Sequence, residues 1–371
     1  MDSRYRIDDT SQIITPALVV FRELVEDNLQ HMVQIAGDVS RLRPHCKTHK
    51  TREVIRLELD IGITKHKAAT FAEAEMLAGV GVKDICLAYN LVGPNIDRAV
   101  MFVDRFPEVT FSVTADHEQP VRQLGQAMAS AGHWVDVLLD IDTGQHRTGL
   151  EVGERARSIY RQIVETDGLN PNGLHVYDGH QHQESRDERR AAIDVEWAKV
   201  TAFRDDLLAE GWAAPRVLAG GTASFPVYAE KDDPTIELSP GTCVYNDIGY
   251  SEHFPDLVFP PAALLLTRVI SRPTADRVTL DLGYKAVASD PAAGNRLKFP
   301  DLPDAKEVLQ NEEHLVLQTS RAEAFQPGDE LLAIPRHICP TSALHKQVFV
   351  VAGGEFVERW DVASRDRWLT I

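Results

Sequence analysis

The octapeptide at residues 43–50 concentrates reactive side chains. It reads Arg-Pro-His-Cys-Lys-Thr-His-Lys, so Lys47 has two histidines, a thiol and an arginine within four residues. A lysine amine is one of the side chains that can act as a nucleophile. A basic cluster of this kind can also be a solvated turn, because charged residues usually lie on protein surfaces. On composition alone the solvated turn is the simpler interpretation.

Three further segments contain residues suited to ligand binding. Consecutive glycines at Gly220 and Gly221, followed by Thr222, allow backbone N–H groups and a hydroxyl to surround a phosphate. Residues 142–149 form a glycine-rich turn that contains an arginine. Residues 177–182 hold a tyrosine and two histidines, and histidine transfers protons readily near neutral pH. Each segment, taken alone, is more often an ordinary turn.

A possible metal site occurs late in the chain. His337 and Cys339 are two residues apart, and on a strand this spacing places both side chains on one face. Imidazole together with thiolate favours zinc among the biological divalent ions. Without context, a His-x-Cys pair is usually structural.

Repeated β-α units are predicted between about residues 18 and 250, where short apolar runs alternate with stretches of helical period. Gly81 and Gly211 follow two of these helical stretches and are typical of helix ends. Eight strands are predicted, the number that closes a (β/α)8 barrel. They are Leu42 to Lys47, Ile63 to Ala69, Asp84 to Ala88, Thr110 to Val113, Val135 to Ile141, Gly173 to Val176, Val217 to Ala219 and Cys243 to Tyr245.

A different pattern begins after Pro260-Pro261, where apolar and polar residues alternate as in β-strands. The fold class predicted is therefore α/β, an N-terminal (β/α)8 TIM-like barrel with a C-terminal all-β domain. We place the barrel at residues 18–255 and the β domain at residues 1–17 and 256–371. In barrel enzymes the carboxyl ends of the strands form the active site. Lys47, residues 177–182 and residues 220–222 would meet there.

Composition excludes several classes of function. The 371 residues have a formal charge of −17, which disfavours binding to nucleic acid or to an anionic membrane surface. No apolar run approaches the roughly 18 residues needed to span a bilayer. The four cysteines are far apart in sequence and contain no C-x-x-C pair, so reduced thiols in a soluble, cytoplasmic protein are expected.

The segment around Lys47 closely resembles the cofactor-lysine motif of the D-threonine aldolase and D-serine dehydratase family. This family belongs to the alanine-racemase-like, fold-type III enzymes that use pyridoxal 5'-phosphate (PLP), and the resemblance covers nearly the whole chain. It implies a PLP-binding barrel followed by a β domain. It also implies that Lys47 carries PLP as a Schiff base and that the pyridine ring acts as an electron sink.

The resemblance assigns roles to the other segments. Arg147 is implied near the PLP ring, and Tyr177 is implied to line the cofactor. His182 resembles the histidine that handles the β-hydroxyl proton in the aldolases, although the spacing leaves His180 as the alternative. The residues implied to surround the phosphate are Gly220, Gly221, Thr222, Gly241 and Tyr245, the last on the predicted eighth strand.

His337 and Cys339 resemble the divalent-metal motif of the family, and zinc, manganese or magnesium is implied. His-x-Cys is typical of the dehydratases and His-x-Asp of the D-threonine aldolases, whereas the segment from Tyr177 favours aldol cleavage. The function implied is a PLP- and metal-dependent lyase that cleaves D-3-hydroxy amino acids to glycine and an aldehyde. The alternatives are a D-serine or D-3-hydroxyaspartate dehydratase, an amino-acid racemase, and a non-catalytic PLP carrier. A small D-amino acid substrate and a homodimer are implied as partners.

Overall fold

The computed structural model describes residues 3–371, and the chain divides into two compact units. The first, here called the sheet unit, comprises the chain up to His31, Thr48–Val54 and Thr242–Asp366. The second, the barrel unit, comprises Met32–Lys47, Ile55–Gly241 and Arg367–Ile371. This division differs from the predicted boundaries, since residues 18–31, 48–54 and 242–255 fall in the sheet unit.

The strands and helices are numbered in chain order. The strands are β1 (Ala17–Phe21), β2 (Lys65–Ala68), β3 (Asp84–Asn90), β4 (Thr110–Ala115), β5 (Val135–Ile141), β6 (Leu169–Val176), β7 (Val217–Ala219), β8 (Ile236–Leu238), β9 (Ala263–Thr274), β10 (Arg277–Leu280), β11 (Leu297–Lys298), β12 (Lys306–Gln310), β13 (Leu315–Gln318), β14 (Glu330–Pro335), β15 (Gln347–Ala352) and β16 (Glu355–Asp361). The helices are α1 (Arg22–Ala36), α2 (Arg52–Asp60), α3 (Phe71–Val80), α4 (Pro94–Arg105), α5 (Glu118–Ser130), α6 (Glu154–Glu165), α7 (Arg186–Ala209), α8 (Phe225–Ala229), α9 (Ile248–His253) and α10 (Ile338–Leu344). In the chain from residue 3 onward, none of the helices has the length and hydropathy to cross a membrane.

In the barrel unit, strands β2 to β8 form a parallel sheet in sequence order. Residues 42–45 occupy the position of the first strand. They bridge β8 through Leu42 and Leu238, and β2 through His45 and Lys67, which brings the two edges of the sheet together. Pro44 lacks an N–H, so this segment is hydrogen-bonded too irregularly to form a regular strand. The prediction of a (β/α)8 barrel is confirmed.

The eighth barrel strand was predicted in the wrong place. Cys243 and Val244 lie in a 3-10 turn, Thr242–Val244, and the strand that pairs with β7 is Ile236–Leu238. This strand has only three residues, and its central residue is Glu237. Because Glu237 interrupts the apolar pattern of this short strand, the strand was instead predicted at the apolar residues 243–245. The helix ends predicted at Gly81 and Gly211 are confirmed, both at positive φ.

A buried ionic network holds strands together in the barrel unit. The Arg43 guanidinium is fully buried and contacts Glu237 at 2.5 Å and Asp84 at 2.9 Å. Lys65 also reaches Glu237, at 2.8 Å. Burial alone would raise the pKa of Glu237, but the charges and hydrogen bonds of Arg43 and Lys65 lower it to about 2. The network therefore ties the segment at residues 42–45 to β8, β2 and β3.

Replacing Glu237 with glutamine is expected to lower the free energy of unfolding by about 3 kcal/mol at neutral pH, because Arg43 loses a buried partner. The wild-type advantage is fully present above the ordinary glutamate pKa of 4.5 and is lost as the pH falls through about 2. Urea unfolding measured across this range should show the two proteins converging. The matched control is Glu108→Gln, on an exposed pair with Lys83, for which we expect no measurable change. Parallel curves for wild type and Glu237→Gln would contradict the role of this charge.

The sheet unit contains a nine-stranded sheet, which confirms the predicted all-β domain. The main path is β12-β13-β10-β9-β1-β15-β16, and β14 pairs with both β9 and β11. Strand β1 runs antiparallel to β9 and parallel to β15. All five residues of β1 are buried, so this strand is central to the sheet despite its distance in sequence.

Candidate active site

Three side chains predicted from separate segments converge in the barrel unit. The Lys47 Nζ lies 5.6 Å from the centroid of the Tyr177 ring, and the Arg147 Cζ lies 4.8 Å from it. Lys47 follows the first-strand segment, Tyr177 follows β6, and Arg147 lies in the loop after β5. All three positions are at the carboxyl ends of barrel strands, the end where barrel enzymes bind substrates.

The Tyr177 ring is fixed by the backbone of two glycines. A Cβ atom at Gly221 would lie 3.0 Å from Tyr177 Cε2, and one at Gly179 would lie 2.5 Å from the hydroxyl oxygen. Any side chain at Gly179 would displace the ring. These glycines therefore set the position of an aromatic face, in addition to the predicted role of Gly221 in a phosphate loop.

The loops after β7 and β8 lie side by side. Ser239 N–H donates to the Ala219 carbonyl at 3.1 Å, and Gly241 N–H donates to Thr222 Oγ1 at 3.1 Å. Gly220 has φ +75°, and a Cβ there would lie 2.9 Å from Ser224 Oγ. Within residues 3–371, the buried Ser239 Oγ has no hydrogen-bond partner. This hydroxyl is a phosphate-ligand candidate that the sequence interpretation missed.

The other predicted residues have different neighbours. Tyr245 belongs to the sheet unit, where its buried ring meets that of His49 edge-on at 6.2 Å. His182 is exposed, while His180 is half-buried with its Nε2 3.1 Å from Gln181 Nε2. A Cβ at Gly144 would lie 3.2 Å from His180 Nε2. His180 thus packs against the loop that carries Arg147.

Polar side chains inside the barrel strands were missed altogether. Asp140 on β5 is paired in register with His175 on β6, and their side chains form a buried contact of 2.6 Å. Burial lowers the pKa of His175, and the nearby cation of Lys67 adds to this effect. Lys67 on β2 is only 3% exposed, and its Nζ lies 5.9 Å from the Tyr177 centroid. Asp140 and His175 each stand between apolar neighbours on a buried strand, which was a signal for them. Lys67 lies in the polar run Lys65-His66-Lys67 and gave no such signal.

The predicted metal ligands meet in the sheet unit, but not on a strand. Strand β14 ends at Pro335, His337 is the N-cap of α10, and Cys339 lies in its first turn. The two side chains are nevertheless hydrogen-bonded to each other. A helical first turn brings residues i and i+2 close enough when the first of them is the cap, so the pairing is present although the predicted strand is wrong.

Neighbouring residues orient the His337 ring and lower the pKa of the Cys339 thiol, and both effects favour metal binding. His337 Nδ1 contacts Asp290 at 2.5 Å, which leaves Nε2 available as a ligand. The Cys339 sulfur lies 3.1 Å from Thr48 Oγ1 and 3.5 Å from Thr242 Oγ1. Burial alone would raise the pKa of Cys339, but hydrogen bonds from His337 and the two hydroxyls lower it. Burial alone would lower the pKa of His337, but Cys339 and Asp290 raise it to about 9.

A buried carboxylate holds the start of α10 in place. Asp247 accepts N–H bonds from Tyr250 and Ile338, both at 2.9 Å, and so links the N-termini of α9 and α10. Desolvation raises the pKa of Asp247 to about 6 despite these bonds. The backbone next to His337 is thereby fixed from a second element.

Comparison with known proteins assigns two successive parts of the chain to two family models. Residues 22–248 match the model of the alanine racemase N-terminal domain, and residues 262–351 match that of the putative serine dehydratase domain. A D-threonine aldolase from Arthrobacter sp is 32% identical, covering 96% of this chain and 94% of that protein. The chain belongs to the D-threonine aldolase and D-serine dehydratase family. The predicted resemblance is thus confirmed, and with it the assignment to an enzyme family.

Two further relatives illustrate the range of the family. A crystal structure of a D-threonine aldolase from Filomicrobium marinum has a TM-score of 0.87 and 28% identity, covering 95% of this chain and 96% of that chain. A D-threo-3-hydroxyaspartate dehydratase from Delftia sp. (strain HT23) is 23% identical, covering 94% of this chain and 96% of that protein. Both lyase types named among the relatives, aldolase and dehydratase, therefore align with almost the entire chain.

Proposed function

We propose that this chain is a PLP- and divalent-metal-dependent lyase that cleaves D-3-hydroxy amino acids to glycine and an aldehyde. The observation that carries the proposal is the convergence of Lys47 and Arg147 on the Tyr177 ring at the carboxyl ends of the barrel strands. The full-length similarity to a D-threonine aldolase supports the choice of reaction.

The barrel unit has features that fit an anionic aromatic cofactor. Tyr177 offers a ring face fixed by glycines, and three cationic side chains surround it. The Ser239 hydroxyl is buried without a partner in the described chain. In this proposal Lys47 attaches PLP covalently, and Arg147 and Tyr177 contact its ring. The residues proposed to hold the phosphate are Gly220, Gly221, Thr222 and Gly241, with Tyr245 as a prediction from the resemblance.

His337 and Cys339 fit a divalent metal because an imidazole nitrogen and a sulfur with lowered pKa point at one another. The sulfur favours zinc, with manganese and magnesium as alternatives. When bound, PLP would supply an electron sink and the metal a Lewis acid for the β-oxygen of the substrate. A D-amino acid substrate and a homodimer are proposed with this function.

The side chains of the protein would divide the proton transfers. Lys47 would hold PLP, and its Nζ could accept or return a proton. His182, or His180 in its place, removes the proton of the β-hydroxyl through a ring nitrogen. Asp290 keeps the proton of His337 on Nδ1, and the hydroxyls of Thr48 and Thr242 stabilise the Cys339 thiolate.

A dehydratase is the second candidate. It is favoured by the thiol of Cys339, since His-x-Cys resembles the dehydratase motif, and by the alignment with a hydroxyaspartate dehydratase. Lys47 would then remove the α-proton, and the products would be an oxo acid and ammonia. The second domain and its His337–Cys339 pair argue against a non-catalytic PLP carrier, because binding the cofactor alone requires neither. A racemase would need a second base on the opposite face and no metal.

Product analysis with the purified holoenzyme separates the two lyases. With D-threonine, D-serine and D-3-hydroxyaspartate as substrates, we expect glycine and the matching aldehyde, with L-threonine as the control that gives neither. Ammonia with an oxo acid, in place of glycine, would contradict the aldolase assignment. His182→Asn and His180→Asn compared side by side identify the base. The base variant is expected to lose about a hundredfold or more in kcat, because a positioned general base contributes at least this much.

A further inference from the structure

The Lys67 side chain is buried and makes no ion pair within residues 3–371. It lies on β2 and is only 3% exposed. In the described part of the chain its Nζ makes no ion pair or hydrogen bond, and it lies 5.9 Å from the centroid of the Tyr177 ring. Burying an unpaired charge is costly, and proteins usually pair it or bind a ligand to it.

The charges facing Lys67 do not compensate for it. Asp140, the carboxylate that acts on Lys67, is also bound to His175 at 2.6 Å. Burial lowers the pKa of Lys67 to about 8, and the cations of Lys47 and Arg43 act in the same direction. The groups that face Lys67 from other elements are Arg43, Lys47, Cys86, Asp140, Arg147, His175 and the Tyr177 ring. At neutral pH the ammonium is therefore still charged among more cations than anions.

We propose that Lys67 is a cationic anchor for the phenolate oxygen of PLP, and this inference rests on the function proposed above. Lys47 and Lys67 place their Nζ atoms at 5.6 Å and 5.9 Å from the same ring centroid. PLP has two anionic groups next to the carbon that Lys47 attacks, a phosphate arm and a phenolate. The glycine loops after β7 and β8 are suited to the phosphate. The phenolate remains as the anion for a cation that shares the Tyr177 ring with Lys47.

If Lys67 has this role, replacing it with methionine should affect the stability of the apo-protein and its affinity for PLP in opposite directions. Without cofactor, Lys67→Met removes an uncompensated buried charge, so the melting temperature of the apo-protein should rise or stay unchanged. In the same variant the dissociation constant for PLP should increase by about tenfold to a hundredfold, as expected for the loss of a charge-assisted hydrogen bond. Lys67→Arg keeps the charge and should recover part of the affinity.

Lys65→Met is the matched control. Lys65 lies two residues earlier on the same strand, but its ammonium is paired with Glu237 at 2.8 Å. This variant should melt at a lower temperature than wild type and bind PLP with unchanged affinity. Both quantities are measured on the apo-protein, by thermal unfolding and by titration with PLP followed through the absorbance of the bound cofactor.

The pH dependence and an analogue identify the bound group. A ligand anion favours protonated Lys67, so the affinity advantage of wild type over Lys67→Met is full below pH about 8 and declines above it. Because both proteins share the other titrating groups, the ratio of their dissociation constants isolates Lys67. With 3-O-methyl-PLP, which has no phenolate, the two proteins should bind equally well.

Several results would overturn the assignment. Equal PLP affinity in wild type and Lys67→Met would do so, as would an equal loss of affinity for the methylated analogue. A fall in apo-protein stability in Lys67→Met would show a structural role instead. If Lys67→Met weakened only a substrate analogue, the anion would be a substrate carboxylate and not the phenolate. Borohydride trapping of PLP on Lys47 of the wild-type protein separates the role of Lys67 from the proposed function. If no PLP is trapped on Lys47, the proposed function itself is contradicted.

Discussion

Replacement of Lys47 with alanine should lower kcat/KM for D-threonine cleavage by at least about a thousandfold, because covalent attachment of the cofactor and one proton-transfer group are lost together. Lys47→Arg should be equally inactive, since a guanidinium keeps the positive charge but cannot form the covalent bond at neutral pH. The measurement is steady-state kinetics combined with borohydride reduction and peptide mapping. In wild type the reduced adduct should map to Lys47 alone.

The comparison needs a lysine of no expected function. Within residues 3–371, Lys83 is exposed and its one ion pair is with Glu108 at the surface, so Lys83→Ala should retain wild-type kinetics and the adduct on Lys47. Lys67 provides the stricter test, because its amine is nearly as close to Tyr177 as that of Lys47. An adduct on Lys67 in the wild-type protein would contradict the assignment of Lys47.

Sequence patterns predicted the barrel well where a strand was long and apolar. Strand β5, Val135–Ile141, lies where it was predicted, since a run of buried apolar residues is typical of a parallel barrel strand. Strand β8 was missed because its central residue is Glu237, which is held by an ion pair with Arg43. Neither residue of this pair gives an apolar signal, and the partners are far apart in sequence.

Strand β1 shows a second limit of local patterns. It was not among the eight strands predicted from the sequence, although its five residues are apolar. The structure pairs β1 with β9 and β15, which follow it by more than two hundred residues. The domain boundary predicted at residue 18 depended on sequence proximity, and hydrogen bonding across that distance cannot be read from a local pattern.

The candidate site divides in the same way. Lys47, Arg147 and Tyr177 were predicted from a resemblance to known motifs, and the structure brings their side chains together. Lys67, with no motif around it, was missed. Its interest comes from burial without a counter-ion, and burial of an individual side chain depends on the packing of several strands.

Loss of the metal ligands should have the second largest effect. His337→Ala is expected to lower kcat by about a hundredfold or more, because Lewis-acid stabilisation of the β-oxygen is worth several kcal/mol. Chelator treatment of the wild-type protein should cause a similar loss, and zinc or manganese should restore the activity. The measurement is activity together with metal content, before and after chelation. Unchanged activity after complete metal removal would contradict the metal-assisted mechanism.

Changing Cys339 to aspartate tests the same site with the metal still bound. A carboxylate is a harder ligand than a thiolate, so Cys339→Asp should shift the preferred metal from zinc towards manganese or magnesium. Asp290→Asn serves as the comparison, because it leaves both ligands in place and removes only the carboxylate that orients His337. It should weaken metal affinity by about ten- to a hundredfold without changing which metal is preferred. If both variants showed the wild-type preference and affinity, His337 and Cys339 would not be the metal ligands. A shift confined to Cys339→Asp would show that sulfur selects the metal, and product analysis of this variant would then reveal whether the ligand also influences which bond breaks.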